Sequence, residues 1–255
     1  MLPKPTYLPL LAALALTWFF TCVLVKAYAV SMIGLVAALA CFLAWAWREP
    51  LREQEAPVEE ARQEHVMMGS EGPRSSGWWG MAFTLVVDAM LFVALVFGFL
   101  FLWSSSDAWP PGYFEPPNWR DAAIGLAFLV VSSLGVTGAK HALDRERPWT
   151  YGLSLGASVI SVGIYIGFSI RALRLHSAQP TEHAFSSMLY ALTGFHIMHA
   201  AIAILIVLFA LVRGLAGGLH DRPSLMLRIV AMFWHYVVVL GVAVAAIVYF
   251  VPEWA

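Results

Sequence analysis

Seven runs of about 20 mainly apolar residues, separated by connections that hold nearly all the charge, constrain this chain more than any other feature. They fall near residues 7–25, 27–47, 78–103, 121–139, 150–170, 184–212 and 229–250. A bilayer core about 30 Å thick needs about 20 such residues per helix. Hydrophobic residues make up 60% of the sequence and charged ones 12%, against about 25% charged in ordinary soluble domains, so a water-soluble globule is excluded. The expectation is an all-α polytopic membrane protein with seven transmembrane helices. The first run is too long for a secretion signal, only Lys4 precedes it, and no small-residue cleavage site follows before the second run. It is therefore counted as a helix.

Sorting the basic residues by the side each connection occupies puts Lys4, Arg48, Arg52, Arg62, Arg74, Lys140, Arg145, Arg147, Arg213, Arg222 and Arg228 on one face. Lys26, Arg120, Arg171 and Arg174 fall on the other, 11 against 4. The positive-inside rule then predicts a cytoplasmic N-terminus and, after seven crossings, an outer C-terminus. Trp45, Trp47, Trp78, Trp79 and Trp149 flank the inner interface and Trp103, Trp109, Trp119 and Trp254 the outer one, where amphipathic rings settle.

The connection 48–77 carries eleven charged residues between Arg48 and Arg74 and reads as a solvated cytoplasmic segment. It divides the chain into a two-helix unit, 1–47, and a five-helix bundle, 78–255. The connection 104–120, with Pro110, Pro111, Gly112, Pro116 and Pro117, is rigid turn material. A formal net charge of -1 offers no basic field for nucleic acid. Cys22 and Cys41 lie inside apolar runs and read as small buried hydrophobes. Gly152 with Gly156 and Gly163 with Gly167 in the fifth span, and Gly125, Ser132, Ser133, Gly135 and Gly138 in the fourth, predict faces where helices pack closely. The halves show no matching interrupted helices, which weighs against an inverted-repeat transporter.

Four side chains of ionisable or imidazole type sit well inside the spans: Asp88, His196, His199 and His235. An aspartate at the bilayer centre costs about 2.5–3.5 kcal/mol on insertion scales, so it should face the bundle and find a partner. At 1.5 Å per residue, Asp88 lies about 15 Å from the cytoplasmic end of its helix, His199 about 20 Å, His196 about 24 Å and His235 about 10 Å. His199 is the better match for Asp88 in depth, and His196 shares its helix face. Three readings stand: buried hydrogen-bonding groups that lock helices together, a proton relay or buffer, and a metal or haem site, which the staggered depths disfavour. No phosphate loop, nucleophile elbow or Cys-x-x-Cys is present. Lys140 and His141, with Asp144, Arg145, Glu146 and Arg147, read as a snorkelling helix end; His65, His176, His183 and His220 lie in connections and receive no role.

The same residues carry a family resemblance. Thr193-Gly194-Phe195-His196-Ile197-Met198-His199 resembles the sixth-helix signature of subunit III of the haem-copper cytochrome c oxidases. Phe233-Trp234-His235-Tyr236 is similar to the opening of that family's last helix, and Trp79-Gly80-Met81 through Asp88-Ala89-Met90-Leu91-Phe92 to its third. Trp109-Pro110-Pro111 and Ser132-Ser133-Leu134-Gly135-Val136-Thr137, ending at His141-Ala142-Leu143, match in the same order. Two positions depart: Asp88 stands where the family usually has Glu, and Val238 where the last helix usually has Asp.

The resemblance implies an integral subunit with no redox centre and no catalytic residue of its own, its two helices set against five in a V with phospholipid in the cleft. It implies direct contact with the catalytic subunit I, which holds haem and copper, in a complex with subunit II that oxidises cytochrome c, reduces oxygen to water and pumps protons. The chain would support assembly, lipid binding and proton uptake from a bacterial inner membrane, N-terminus in the cytoplasm and C-terminus in the periplasm, with Asp88, His196, His199 and His235 as buried polar, proton-buffering groups. Two alternatives stay open: a membrane b-type cytochrome with bis-histidine haem, and a proton channel or transporter. A retinal receptor is disfavoured because the seventh span has no Lys for a Schiff base.

Overall fold

A helix whose side chains are apolar on every side cannot bury one stripe and wet the other, so it belongs in a membrane or a large core. The computed structural model describes residues 6–52, 76–109, 119–145, 147–175, 179–215 and 223–249. They form seven helices: α1 (Leu8–Leu24), α2 (Tyr28–Arg52), α3 (Ser76–Ser104), α4 (Trp119–Asp144), α5 (Pro148–Leu175), α6 (Ala184–Leu215) and α7 (Pro223–Tyr249). No strand occurs among the described residues. Six of the helices are long and apolar enough to cross a membrane. α1, with 17 residues, stands at the lower limit of about 17.

Local chemistry sets the helix ends. Pro148 and Pro223 open α5 and α7, and Pro9 lies in the first turn of α1, positions whose N–H groups lack an intrahelical partner in any case. Asp121 in the first turn of α4, Arg174 in the last turn of α5 and Arg213 in the last turn of α6 oppose the helix dipoles. The helices outrun their apolar segments: α4 continues to Asp144 rather than 139, and α7 starts at Pro223 rather than 229. Backbone hydrogen bonding does not stop where hydropathy falls, and the added turn of α4 carries Lys140, His141 and Asp144, side chains suited to the headgroup region. Most of the charged connection, 53–75, lies outside the described residues, as does 110–118.

The chain divides into two compact units, Met1–Val66 and Met67–Ala255. In the first, α1 packs against α2 across a short turn in which Lys26 holds a positive φ of 62°. Gly34 permits the close approach: a Cβ there would lie 2.7 Å from the Ala15 carbonyl oxygen and 2.8 Å from the Phe19 nitrogen. In the second unit α4 lies along α5, α7 packs on α3, α4 and α6, and α3 rests against α6 and α7. The second unit buries a few polar side chains within an apolar core and turns other apolar side chains outward. Ser132, Ser158 and His196 are buried while Leu134 and Leu153 are 71% and 74% exposed, a distribution suited to lipid.

Close packing follows the α4 glycines. A Cβ on Gly135 would meet the Ser154 carbonyl oxygen at 2.6 Å, and one on Gly125 the Phe168 Cβ at 3.2 Å. The α5 glycines do not repeat this: a Cβ on Gly156, Gly163 or Gly167 would meet nothing within 4 Å. Spacing identifies a face of small residues but not the helix surface it meets, and α5 turns its Ser154, Ser158 and Phe168 side toward α4.

Candidate functional site

The carboxylate of Asp88, midway along α3, is held from two other helices. His199 Nε2 on α6 lies 3.0 Å from Asp88 Oδ1, and the Tyr236 hydroxyl on α7 donates to Oδ2 at 2.7 Å. His199 also turns its Nδ1 toward the Phe195 carbonyl oxygen, 2.8 Å away. Aromatic rings flank the group: the Phe195 ring centroid stands 4.3 Å from that of His199 and the Phe233 centroid 6.4 Å from it, its ring 24° from parallel. The Asp88 side chain remains 21% exposed and that of His199 6%, so the site lies at the rim of the bundle with the carboxylate on the outer side.

His196 sits one turn of α6 away and is fully buried. Its Nε2 lies 2.8 Å from the Val237 carbonyl oxygen, which can only accept, so Nε2 carries the hydrogen. Nδ1 lies 2.6 Å from the Tyr165 hydroxyl, which donates to the remaining lone pair. His196 is thereby a neutral clamp between α5, α6 and α7. Beside it Trp234 donates to Ser132 Oγ at 2.9 Å, and Ser132 in turn donates to the Leu129 carbonyl at 2.5 Å.

His235 is a correction. It is exposed on α7, where its Nδ1 lies 3.3 Å from Ser133 Oγ, so it is not a buried member of the set. Consecutive residues point about 100° apart on a helix, and Trp234 takes the inward direction. The structure thus unites Asp88 with His199, holds His196 in a separate clamp and leaves His235 outside both. Tyr236 and Tyr165 were missed by reading charge alone. The available signal was a phenol at apolar depth, since a buried hydroxyl almost always finds a partner.

Among the described residues no group of three or more His, Cys, Asp or Glu side chains converges as a metal-binding set. Axial ligation of haem would need an imidazole nitrogen with a free lone pair. The ring nitrogens of His196 and His199 all face hydrogen-bond partners, which turns the geometry away from the bis-histidine alternative.

Residues 4–253 match the sequence model of the family described as cytochrome c oxidase subunit III. The chain belongs to that family. Cytochrome c oxidase subunit 3 of Oenothera berteroana is 27% identical over 223 residues, spanning 80% of this chain and 76% of that relative. The Zea mays protein of the same name matches at 27% over the same shares, and that of Branchiostoma lanceolatum at 26% over 217 residues, 81% and 77% of the two chains. As a cytochrome c oxidase subunit III, the chain is a multi-pass, non-redox subunit of the respiratory oxidase and works in a complex with other oxidase subunits.

Proposed function

We propose that this subunit III lies directly against the catalytic subunit I, in a complex that also contains subunit II and takes electrons from cytochrome c. Haem and copper belong to those partners. The outward-facing apolar residues of its helices favour bound phospholipid. In this reading the chain occupies a bacterial inner membrane with its N-terminus in the cytoplasm and its C-terminus in the periplasm, as the charge distribution favours.

Within that complex the Asp88–His199 pair buffers protons for the oxidase. The observation that carries this is the 3.0 Å contact between a carboxyl group and an imidazole whose outer oxygen side stays partly open. A carboxyl group and an imidazole in hydrogen-bond contact can share one proton without exposing a net charge to the bilayer. The test is sustained oxygen reduction by the intact oxidase across pH. Asp88→Ala should slow turnover severalfold at alkaline pH, where protons are scarce, and much less at acid pH. Asp88→Asn keeps the size and part of the hydrogen bonding. Should Asn preserve both assembly and turnover at every pH while Ala disrupts assembly, the pair is structural only.

A further inference from the structure

The two bonds of His199 fix the number of protons in the site but not their position. The Phe195 carbonyl oxygen can only accept, so His199 Nδ1 carries a hydrogen. The 3.0 Å contact between Nε2 and Asp88 Oδ1 must then hold one further proton. Either Nε2 bears it, giving imidazolium and carboxylate, or Oδ1 bears it, giving a carboxylic acid that donates to a neutral ring. Both forms have the same proton count and the same net charge, but burial favours the neutral acid and neutral base over the ion pair, so the ionised form depends on groups that stabilise the carboxylate.

The third group is what differs. The Tyr236 hydroxyl donates to Oδ2, the oxygen that His199 does not use, at 2.7 Å. A hydrogen bond to an ionised acceptor is roughly twice as strong as one to a neutral acceptor, so this bond favours the carboxylate. The other polar groups nearby do not offset it. From α6, His196 has both nitrogens committed to Tyr165 and Val237; from α7, His235 points away to Ser133. Lys and Arg are absent from α3.

We propose that Tyr236 is a positioning residue of the Asp88–His199 pair, holding Asp88 as the carboxylate so that the shared proton resides on His199 Nε2. This deepens the proton-buffering reading by naming the donor: a proton released from the site leaves the imidazole, and Asp88 serves as its counter-ion. Without the phenol, the proton moves across to Oδ1 and the pair becomes neutral acid and neutral base.

Infrared spectroscopy of the intact oxidase at neutral pH separates the two forms, because a protonated carboxyl gives a C=O stretch that a carboxylate lacks. The wild type should show no acid band that disappears in Asp88→Asn. Tyr236→Phe, confirmed by native gel to be assembled, should gain such a band, and the double variant with Asp88→Asn should lose it again. An Asp88-dependent acid band already present in the wild type, or no new band in Tyr236→Phe, overturns the proposal. Should Tyr236→Phe fail to assemble, 4-aminophenylalanine at position 236 keeps the shape with a weaker donor and should give a partial acid band; absence of that band likewise overturns it. The pH dependence of turnover in Asp88→Ala is a separate readout: a flat profile with the infrared bands as expected would retire the buffering role while leaving the proton position established.

Discussion

His196 on α6 donates from Nε2 to the carbonyl oxygen of Val237 on α7 across 2.8 Å, at the turn where Gly241 makes room for the ring. A Cβ at Gly241 would stand 2.9 Å from both Cε1 and Nε2 of that imidazole. With Tyr165 donating to Nδ1 from α5, one side chain fastens three helices.

His196→Ala removes the acceptor of a buried phenol and opens a void, and should lower the stability of the subunit by about 1–3 kcal/mol, the cost typical of an orphaned polar group. Gly241→Ala should destabilise too, because the added methyl would crowd the Leu129 side chain as well as the ring. In the double variant the added methyl still meets Leu129 but no longer the imidazole, so the loss should fall short of the sum. Thermal release of the subunit from the purified oxidase gives all three values, and strict additivity would count against a shared space.

Gly135 and Gly138 are neighbours on α4 with opposite tolerances. At Gly135 the obstacle is the Ser154 main chain, whose carbonyl oxygen would stand 2.6 Å from an added methyl, and backbone cannot rotate aside. At Gly138 the nearest atom is Ser154 Oγ at 3.5 Å, an ordinary contact. Gly135→Ala should therefore reduce the amount of assembled subunit strongly, and Gly138→Ala should leave it near wild type. Equal yields on a native gel would show that α4 and α5 separate more easily than this packing implies.

Membrane orientation is open to a direct check. A periplasm-sensitive reporter fused after Ala255 should be active and the same reporter near Glu60 silent. The reverse pattern would overturn the orientation drawn from the 11 basic residues against 4.

Seven helices were legible because each must carry its own apolar run through hydrocarbon. The pairing of Asp88 with His199 was legible because rise per residue converts sequence position into depth. Rotation about the helix axis was not. On helices apolar all round, hydropathy gives no direction for the interior, so nothing in the sequence told whether Trp234, His235 or Tyr236 pointed inward. The same lack of direction hid which helix surface the α5 glycines face. Tyr165 and Tyr236 escaped notice because a phenol counts as apolar in a census of charge, although its hydroxyl completes each polar cluster.

The shortness of α1 has a consequence for the lipid around it. Its 17 residues reach about 25 Å, whereas the 32 residues of α6 reach about 48 Å. A hydrocarbon layer about 30 Å deep fits neither: α6 can tilt or extend into the headgroups, while α1 is met by thinner lipid, by snorkelling side chains at its ends or by a neighbouring helix, at a fraction of a kcal/mol for each ångström of mismatch. Acyl-chain length is thus a variable to which the α1 end of the subunit is the more sensitive.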